Sequence, residues 1–167
     1  MEVVLLIVVL SVVAIAVLGV VFVVGMRRKT PVVLDAVRRS GRAMKPLVLR
    51  SAGSAGTSTG VVHHVGRTSG RPYETPVEAV PTDGGFAIAL PYGLNTDWLK
   101  NVLAAGRATI VTDGEEHDVI HPEVVPLETV DSAFAPRERK RHRQFRVVQA
   151  LRVDAVARDG GVAATPA

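Results

Sequence analysis

Between Val3 and Gly25 the chain carries no charge and is apolar on every side of a helical wheel, broken only by Ser11 and two glycines. About 23 residues at 1.5 Å each extend roughly 34 Å, which is enough to cross the hydrocarbon core of a bilayer. After Arg27 the pattern changes to one apolar stripe. Val33, Val37, Met44 and Leu47 fall near the 3.6-residue period, predicting a juxtamembrane helix with its basic residues on the remaining face. Residues 51–59 contain no large apolar side chain and read as a flexible linker. From Gly60 the period shortens to two, and strands are predicted at Val61–Val65, Tyr73–Val80, Phe86–Leu90, Ala108–Thr112 and Glu116–Ile120. Asp113-Gly114 predicts a tight hairpin between the last two. One helix interrupts them, with Asn95 or Thr96 as N-cap, Trp98, Leu99, Val102 and Leu103 as its stripe, and Gly106 as its stop. Connections this short suit antiparallel pairing, because parallel strands need a crossover of about a dozen residues. The prediction is a mainly β, α+β domain built on a small barrel or curled sheet. A partly helical tail (129–146) and a last strand at Ala150–Arg158 complete it.

These elements divide the chain into an anchor with its basic flank (1–29), a juxtamembrane helix and linker (30–59), a core domain (60–158) and a tail expected to be disordered (159–167). A cleaved signal peptide fits the first segment less well, since it would open on basic residues and carry a shorter apolar stretch. Here the chain opens Met1-Glu2, and the basic cluster Arg27-Arg28-Lys29 follows the span. That asymmetry predicts a single-pass protein of the cell membrane with its domain facing the cytoplasm. Charge then alternates by segment: residues 27–50 hold eight basic groups against Asp35, and residues 72–135 hold eleven acidic against two basic. The absence of cysteine excludes thiol nucleophiles, iron–sulfur clusters and Cys-based zinc sites. Aromatic residues make up 4% of the chain, too few for a nucleic-acid stacking platform, and no nucleic-acid partner is expected.

Two loops offer chemistry. Gly66-Arg67-Thr68-Ser69-Gly70-Arg71 joins two predicted strands and provides two guanidinium groups, two hydroxyls and amides freed by glycine, a set suited to an anion. The second, from Pro91 to Asn101, leads into the predicted helix, whose first amides can face an anionic group. His63 and His64 point to opposite faces of a strand, so shared metal ligation is not expected and no metal site is assigned. The run Arg137–Arg143 reads as a surface facing solvent or lipid headgroups.

Taken in order, His64-Val65-Gly66-Arg67-Thr68-Ser69-Gly70-Arg71, Tyr73, Thr75-Pro76-Val77, Tyr92-Gly93, Asp97-Trp98, Lys100-Asn101 and Ala104-Ala105-Gly106 resemble the deazaflavin-dependent nitroreductase family, whose members reduce quinones, nitro compounds and related acceptors with reduced coenzyme F-420. The resemblance covers roughly Val61 to Val125. It implies a split β-barrel of the FMN-binding type and a deazaflavin held in a basic groove. By the same resemblance Arg67, Thr68, Ser69, Gly70 and Arg71 would hold the phosphate and acidic tail. Thr75, Pro76 and Val77 would border the ring, and Tyr92, Gly93, Asp97, Trp98 and Lys100 would line the ring and phosphate region. The N- and C-terminal segments with which relatives read their acceptors are replaced here by an anchor and a basic tail, so the resemblance does not extend to the acceptor.

With a cofactor carrying the hydride, the protein need supply only binding, orientation and a proton. Tyr92, His64 and Tyr73 are the candidate proton donors. Tethering favours a lipid-soluble quinone as acceptor. Two rivals are an FMN-dependent oxidoreductase of the split-barrel type and a non-catalytic membrane-tethered module that binds coenzyme or lipid. A homodimer would cover an otherwise free strand edge.

Overall fold

The computed structural model describes residues 1–156. The expected tail (159–167) and the last two residues of the expected domain lie outside the described residues. Helix α1 (Glu2–Arg27) exposes almost every side chain until Gly25 and Met26, and by length and composition it could cross a membrane. The chain turns at once into α2 (Pro31–Val48), whose Pro31 fits the first helical turn. Helix α2 does not lie free. Leu34 is buried, Arg38 Nη2 donates to the Asn95 carbonyl at 3.2 Å, and Met44 and Leu47 remain 56% and 60% exposed. The first half of the predicted stripe, Val33 and Val37, faces inward beside Leu34, with Val37 lining a cavity, whereas its second half faces outward.

The expected flexible linker is also tied down. Gly53 N–H donates to the Thr59 carbonyl (2.7 Å), Gly114 N–H to the Gly53 carbonyl (2.6 Å), and Gly56 N–H to the Asp113 carboxylate (2.8 Å). Small residues that read as freedom in sequence here allow the chain to hug a hairpin.

Seven strands form one antiparallel sheet in the order β2-β1-β5-β6-β7-β4-β3. They are β1 (Gly60–Val65), β2 (Pro72–Val77), β3 (Ala79–Thr82), β4 (Gly85–Ala89), β5 (Arg107–Thr112), β6 (Glu115–Pro126) and β7 (Gln149–Ala155). The single strand predicted at Tyr73–Val80 is two strands, parted at Glu78. Since β2 and β3 occupy opposite edges, the sheet must curl until those edges are one residue apart, giving a split-barrel-like α+β fold. Strand β6 is longer than predicted, with an irregularity between Ile120 and Glu123 that lets it bend from β5 onto β7. The β5–β6 hairpin turns at Asp113 (φ 53°) and Gly114 (φ 83°), as Asp-Gly predicts.

Helix α3 (Asp97–Ala105) covers the inside of the curl, placing Leu99 and Val102 against Val62, Ile88, Ile110 and Leu151. Alternate residues of β4 and β7, Ala87 and Ala150, face a second cluster around Phe134, Leu127 and Val147. Helix α4 (Pro136–Gln144) follows two 3₁₀ turns on that side. Strands β4 and β7 approach so closely at Gly85 that an added Cβ would lie 1.9 Å from the Val153 carbonyl oxygen. Gly85→Ala is therefore expected to destabilise the fold by about 2–3 kcal/mol through forced backbone movement. Denaturant unfolding of the two proteins under identical conditions measures the difference.

Candidate active site

The β1–β2 turn is closed by Gly66 N–H to the Arg71 carbonyl (2.9 Å) and Gly70 N–H to the Gly66 carbonyl (2.8 Å). Gly66 leaves no room for a side chain: a Cβ there would meet Ser69 Oγ at 2.4 Å and the Tyr73 ring at 2.7 Å. The turn lies on α3. Asn101 Oδ1 accepts from the Arg67 backbone N–H (3.2 Å) and from Arg67 Nη1 (2.9 Å), while Arg67 Nη2 reaches Asp97 Oδ1 at 3.2 Å. The two stretches that sequence alone left thirty positions apart are therefore one surface.

Asn101 also fixes the histidine below it. With its oxygen taken twice by Arg67, its amide Nδ2 must donate to His64 Nδ1 (3.2 Å). His64 then carries its proton on Nε2 and donates to Thr75 Oγ1 at 3.0 Å. Both central members are buried, Asn101 at 5% and His64 at 7% exposure. Burial holds the imidazole pKa below its ordinary value, with Lys45 and then His63 adding to the effect. A charged His64 would also turn a second N–H against the Asn101 amide. Tyr73 stacks on the ring at 5.8 Å between centroids and exchanges a hydrogen bond with Ser69 at 3.2 Å.

A cavity of about 540 Å³ adjoins this frame, and Pro76, Val77, Tyr92, Gly93 and Trp98 line it together with Thr96. Of the residues assigned by resemblance to the ring region, these five meet around one space. Thr75 stays in the His64 network, Asp97 pairs with Arg67, and Lys100 Nζ bonds Asn95 Oδ1. Thr68, Ser69, Gly70 and Arg71 are exposed on the turn outside the cavity. The three proton-donor candidates separate: Tyr92 lines the cavity, whereas His64 and Tyr73 border a second, open depression with Lys45 and Arg107. His63 is exposed and His64 buried, as opposite strand faces require.

Several wall residues had no signal in the sequence. Phe22 and Met26 come from the end of α1, where an apolar residue reads as lipid-facing. Phe145 meets Phe22 edge-on at 6.1 Å. Lys29 Nζ donates to the carbonyls of Pro91 (2.5 Å) and Phe145 (3.5 Å), and burial lowers its pKa. His142, hidden in a basic run, is buried edge-on against Phe134 at 4.8 Å. Its pKa is lowered chiefly by burial, with Asp131 opposing and Arg141 reinforcing. Glu78, at the parting of β2 and β3, also lines the cavity and receives both Arg141 Nη2 contacts, at 2.7 and 3.0 Å. Burial and the nearby Glu138 raise its pKa, while Arg141 pulls it down. Thr96 Oγ1 and His142 Nδ1 are buried without a partner among the described residues.

No protein-family model matches the chain, and no curated protein matches it. Among solved structures it is similar to an F-420-H2 dependent reductase, at 15% identity over 58% of this chain and 94% of that one, with a TM-score of 0.41. A structure described as a domain-swapped dimer matches at 14% identity over 72% and 98%, with a TM-score of 0.46. General Stress Protein 26 from Bacillus anthracis str. Sterne matches at 13% identity over 59% and 79%, with a TM-score of 0.41. At these identities the likeness concerns the path of the chain and says nothing of ligands.

His64 supplies a pH test of the frame. Its folded pKa lies below its unfolded one, so between them the unfolded chain binds the extra proton and stability falls as pH drops below about 6.5. His64→Gln should give a shallower loss of unfolding free energy between about pH 7 and 5 than the parent chain. Equal slopes in urea titrations would show that His64 is not held neutral by Asn101 and burial.

Proposed function

We propose that the protein is a membrane-anchored oxidoreductase that binds reduced coenzyme F-420 beside α3 and reduces an acceptor in the adjoining cavity. The observation that carries this reading is the union of the Gly66–Arg71 turn with α3 through Arg67, Asn101 and Asp97, next to a cavity walled by Pro76, Val77, Tyr92, Gly93 and Trp98. Those are the residues on which the resemblance to deazaflavin-dependent nitroreductases rests. The wall suits a flat heterocycle: it is mostly apolar, and Thr96 Oγ1 and His142 Nδ1 are polar atoms still lacking partners.

Within this reading the turn residues divide their work. Arg67 is already engaged by Asp97 and Asn101 and serves to position the turn. Arg71, with Thr68 and Ser69, is exposed beside it and would take the acidic tail, and the first amides of α3 would add a favourable dipole. Bound F-420 would supply the hydride. The chain's own tasks are to orient the ring with Pro76, Val77 and Trp98, to exclude water with the aliphatic wall of Ile88 and Leu90, and to hold a proton near the acceptor. Tyr92 and His142, both in the wall, are placed for that last task.

Anchoring by α1 with the domain on the cytoplasmic side follows from the uncharged span and the basic flank Arg27-Arg28-Lys29. A lipid-soluble quinone is the favoured acceptor, supported by the apolar contributions of Phe22 and Met26 to the cavity wall. Nitro compounds and enones fit the same chemistry.

Titrating the purified full chain into oxidised F-420 and into FMN, with quenching of coenzyme fluorescence as readout, tests the cofactor. F-420 should bind and FMN should not, and menadione should consume the reduced coenzyme. Binding without turnover on any acceptor would instead favour the non-catalytic module. Arg71→Ala should weaken F-420 binding about tenfold or more, the loss of one charged hydrogen bond. Tyr92→Phe or His142→Gln should lower kcat with menadione while leaving F-420 affinity within about twofold. An unchanged kcat in both variants and in their combination would remove these two residues as proton donors.

A further inference from the structure

Helix α4 and the turn after it carry more positive charge than the site uses. Between Arg137 and Arg146 there are six basic residues against Glu138. Arg141 is neutralised by Glu78, and Glu138 is occupied by the Ala135 backbone N–H at 2.9 Å. Arg137, Lys140, Arg143 and Arg146 remain exposed. Beyond them Val148 is 68% exposed, an apolar side chain two residues from Arg146.

The contact with α1 fixes how deep this surface lies. Phe145 packs on Phe22 at 6.1 Å between ring centroids, and Lys29 donates to the Phe145 carbonyl at 3.5 Å. The apolar stretch from Val3 to Met26 is about 36 Å long at 1.5 Å per residue, against about 30 Å of hydrocarbon, so Phe22 sits within one turn of the membrane boundary. A residue packed on Phe22 is therefore at the level of the headgroups.

We infer that α4 and its following turn form a docking surface for anionic phospholipid, with Arg137, Lys140, Arg143 and Arg146 on the headgroup phosphates and Phe145 and Val148 at the hydrocarbon boundary. This rests on the anchoring part of the function proposed above and is independent of the cofactor. Docking turns the side of the cavity formed by Phe22, Met26 and Phe145 toward the bilayer. The attraction scales with anionic lipid and fails at high salt, where screening shortens to a few ångströms.

The chain has no cysteine, so single labels are unambiguous. Val148→Cys and, separately, Ala14→Cys carry a fluorophore in the full-length protein, reconstituted into nanodiscs of phosphatidylcholine with or without phosphatidylglycerol. Nitroxide lipids labelled at the headgroup or mid-chain act as quenchers. Headgroup quenching of the Val148 label should rise about threefold or more with phosphatidylglycerol and return to the neutral-lipid value in 1 M salt, roughly the 3 Å screening regime. Exchange of Arg137, Lys140 and Arg143 for Gln or Glu together should abolish the rise. The salt titration of the unsubstituted surface keeps the test valid if either triple variant misfolds. Quenching equal in both lipids, or insensitive to salt, overturns the docking surface while mid-chain quenching at Ala14→Cys leaves the anchor standing. No quenching at Ala14→Cys overturns the anchor and the docking together. Capture of duplex DNA by the chain in neutral discs, lost in the triple variants, would reassign the surface to nucleic acid.

Discussion

One residue, Glu78, separates the two strands that form opposite edges of the sheet. Two Cα atoms on either side of a single residue can be no more than about 7 Å apart. Seven strands must therefore wrap around until first and last nearly touch, and the curl, the enclosed core of Val62, Ile110 and Leu151, and the location of the cavity all follow. Among the described residues the edges do not pair with each other: β2 pairs with β1, and β3 with β4. What stands at the seam is a carboxylate, paired with Arg141 of α4. A half-buried charge in that place is tolerated because its partner makes two contacts and because the seam opens on the cavity.

The site rests on a division between polar frame and apolar space. Arg67, Asn101, His64 and Thr75 form a chain of hydrogen bonds crossing the turn, α3, β1 and β2, in which each donor and acceptor role is fixed by its neighbour. Such a chain holds four elements in register but has little capacity left for a ligand. The cavity beside it is lined mostly by apolar side chains; Glu78 and Arg141 in its wall satisfy each other, while Thr96 Oγ1 and His142 Nδ1 are left unpartnered among the described residues. A satisfied polar frame and a wall with unpartnered polar atoms thus lie side by side on α3 and the strands it covers.

Local chemistry was legible in the sequence wherever a short-range rule governs it. Asp113-Gly114, the stop of α3 at Gly106, its start at Thr96 (one of the two N-cap candidates, though without a side-chain cap bond), and the opposite faces of His63 and His64 each depend on a few adjacent residues. The break at Glu78 was not legible, because β-type residues run continuously through it and only the long-range pairings divide them. Residues 51–59 failed for the converse reason: small polar residues describe both a free linker and a chain lying closely on a hairpin, and the deciding partner, Asp113, is more than fifty positions away. For the site, the order of residues from His64 to Asn101 identified the turn and the loop, but could not tell that Arg67 is spent on α3 while Arg71 is free of it. Phe22 and His142 were hidden by their surroundings, an apolar span and a basic run, whose average properties mask one inward-facing side chain.

That Phe22 and Met26 belong to the cavity changes what α1 is for. A simple tether is joined to its domain by slack chain, and removing it leaves the domain intact. Here Thr30 N–H returns to the Gly25 carbonyl at 3.0 Å, α2 begins at once, and Lys29 is bonded to the loop that carries Tyr92. Cutting the chain before residue 30 would remove Phe22 from Phe145, strip an ammonium from two part-buried carbonyls and open one wall of the cavity. Water would then take the place of the ammonium at both carbonyls and enter the cavity beside them. Helix α1 and the candidate site are thus one mechanical unit, joined through Phe22, Met26 and Lys29.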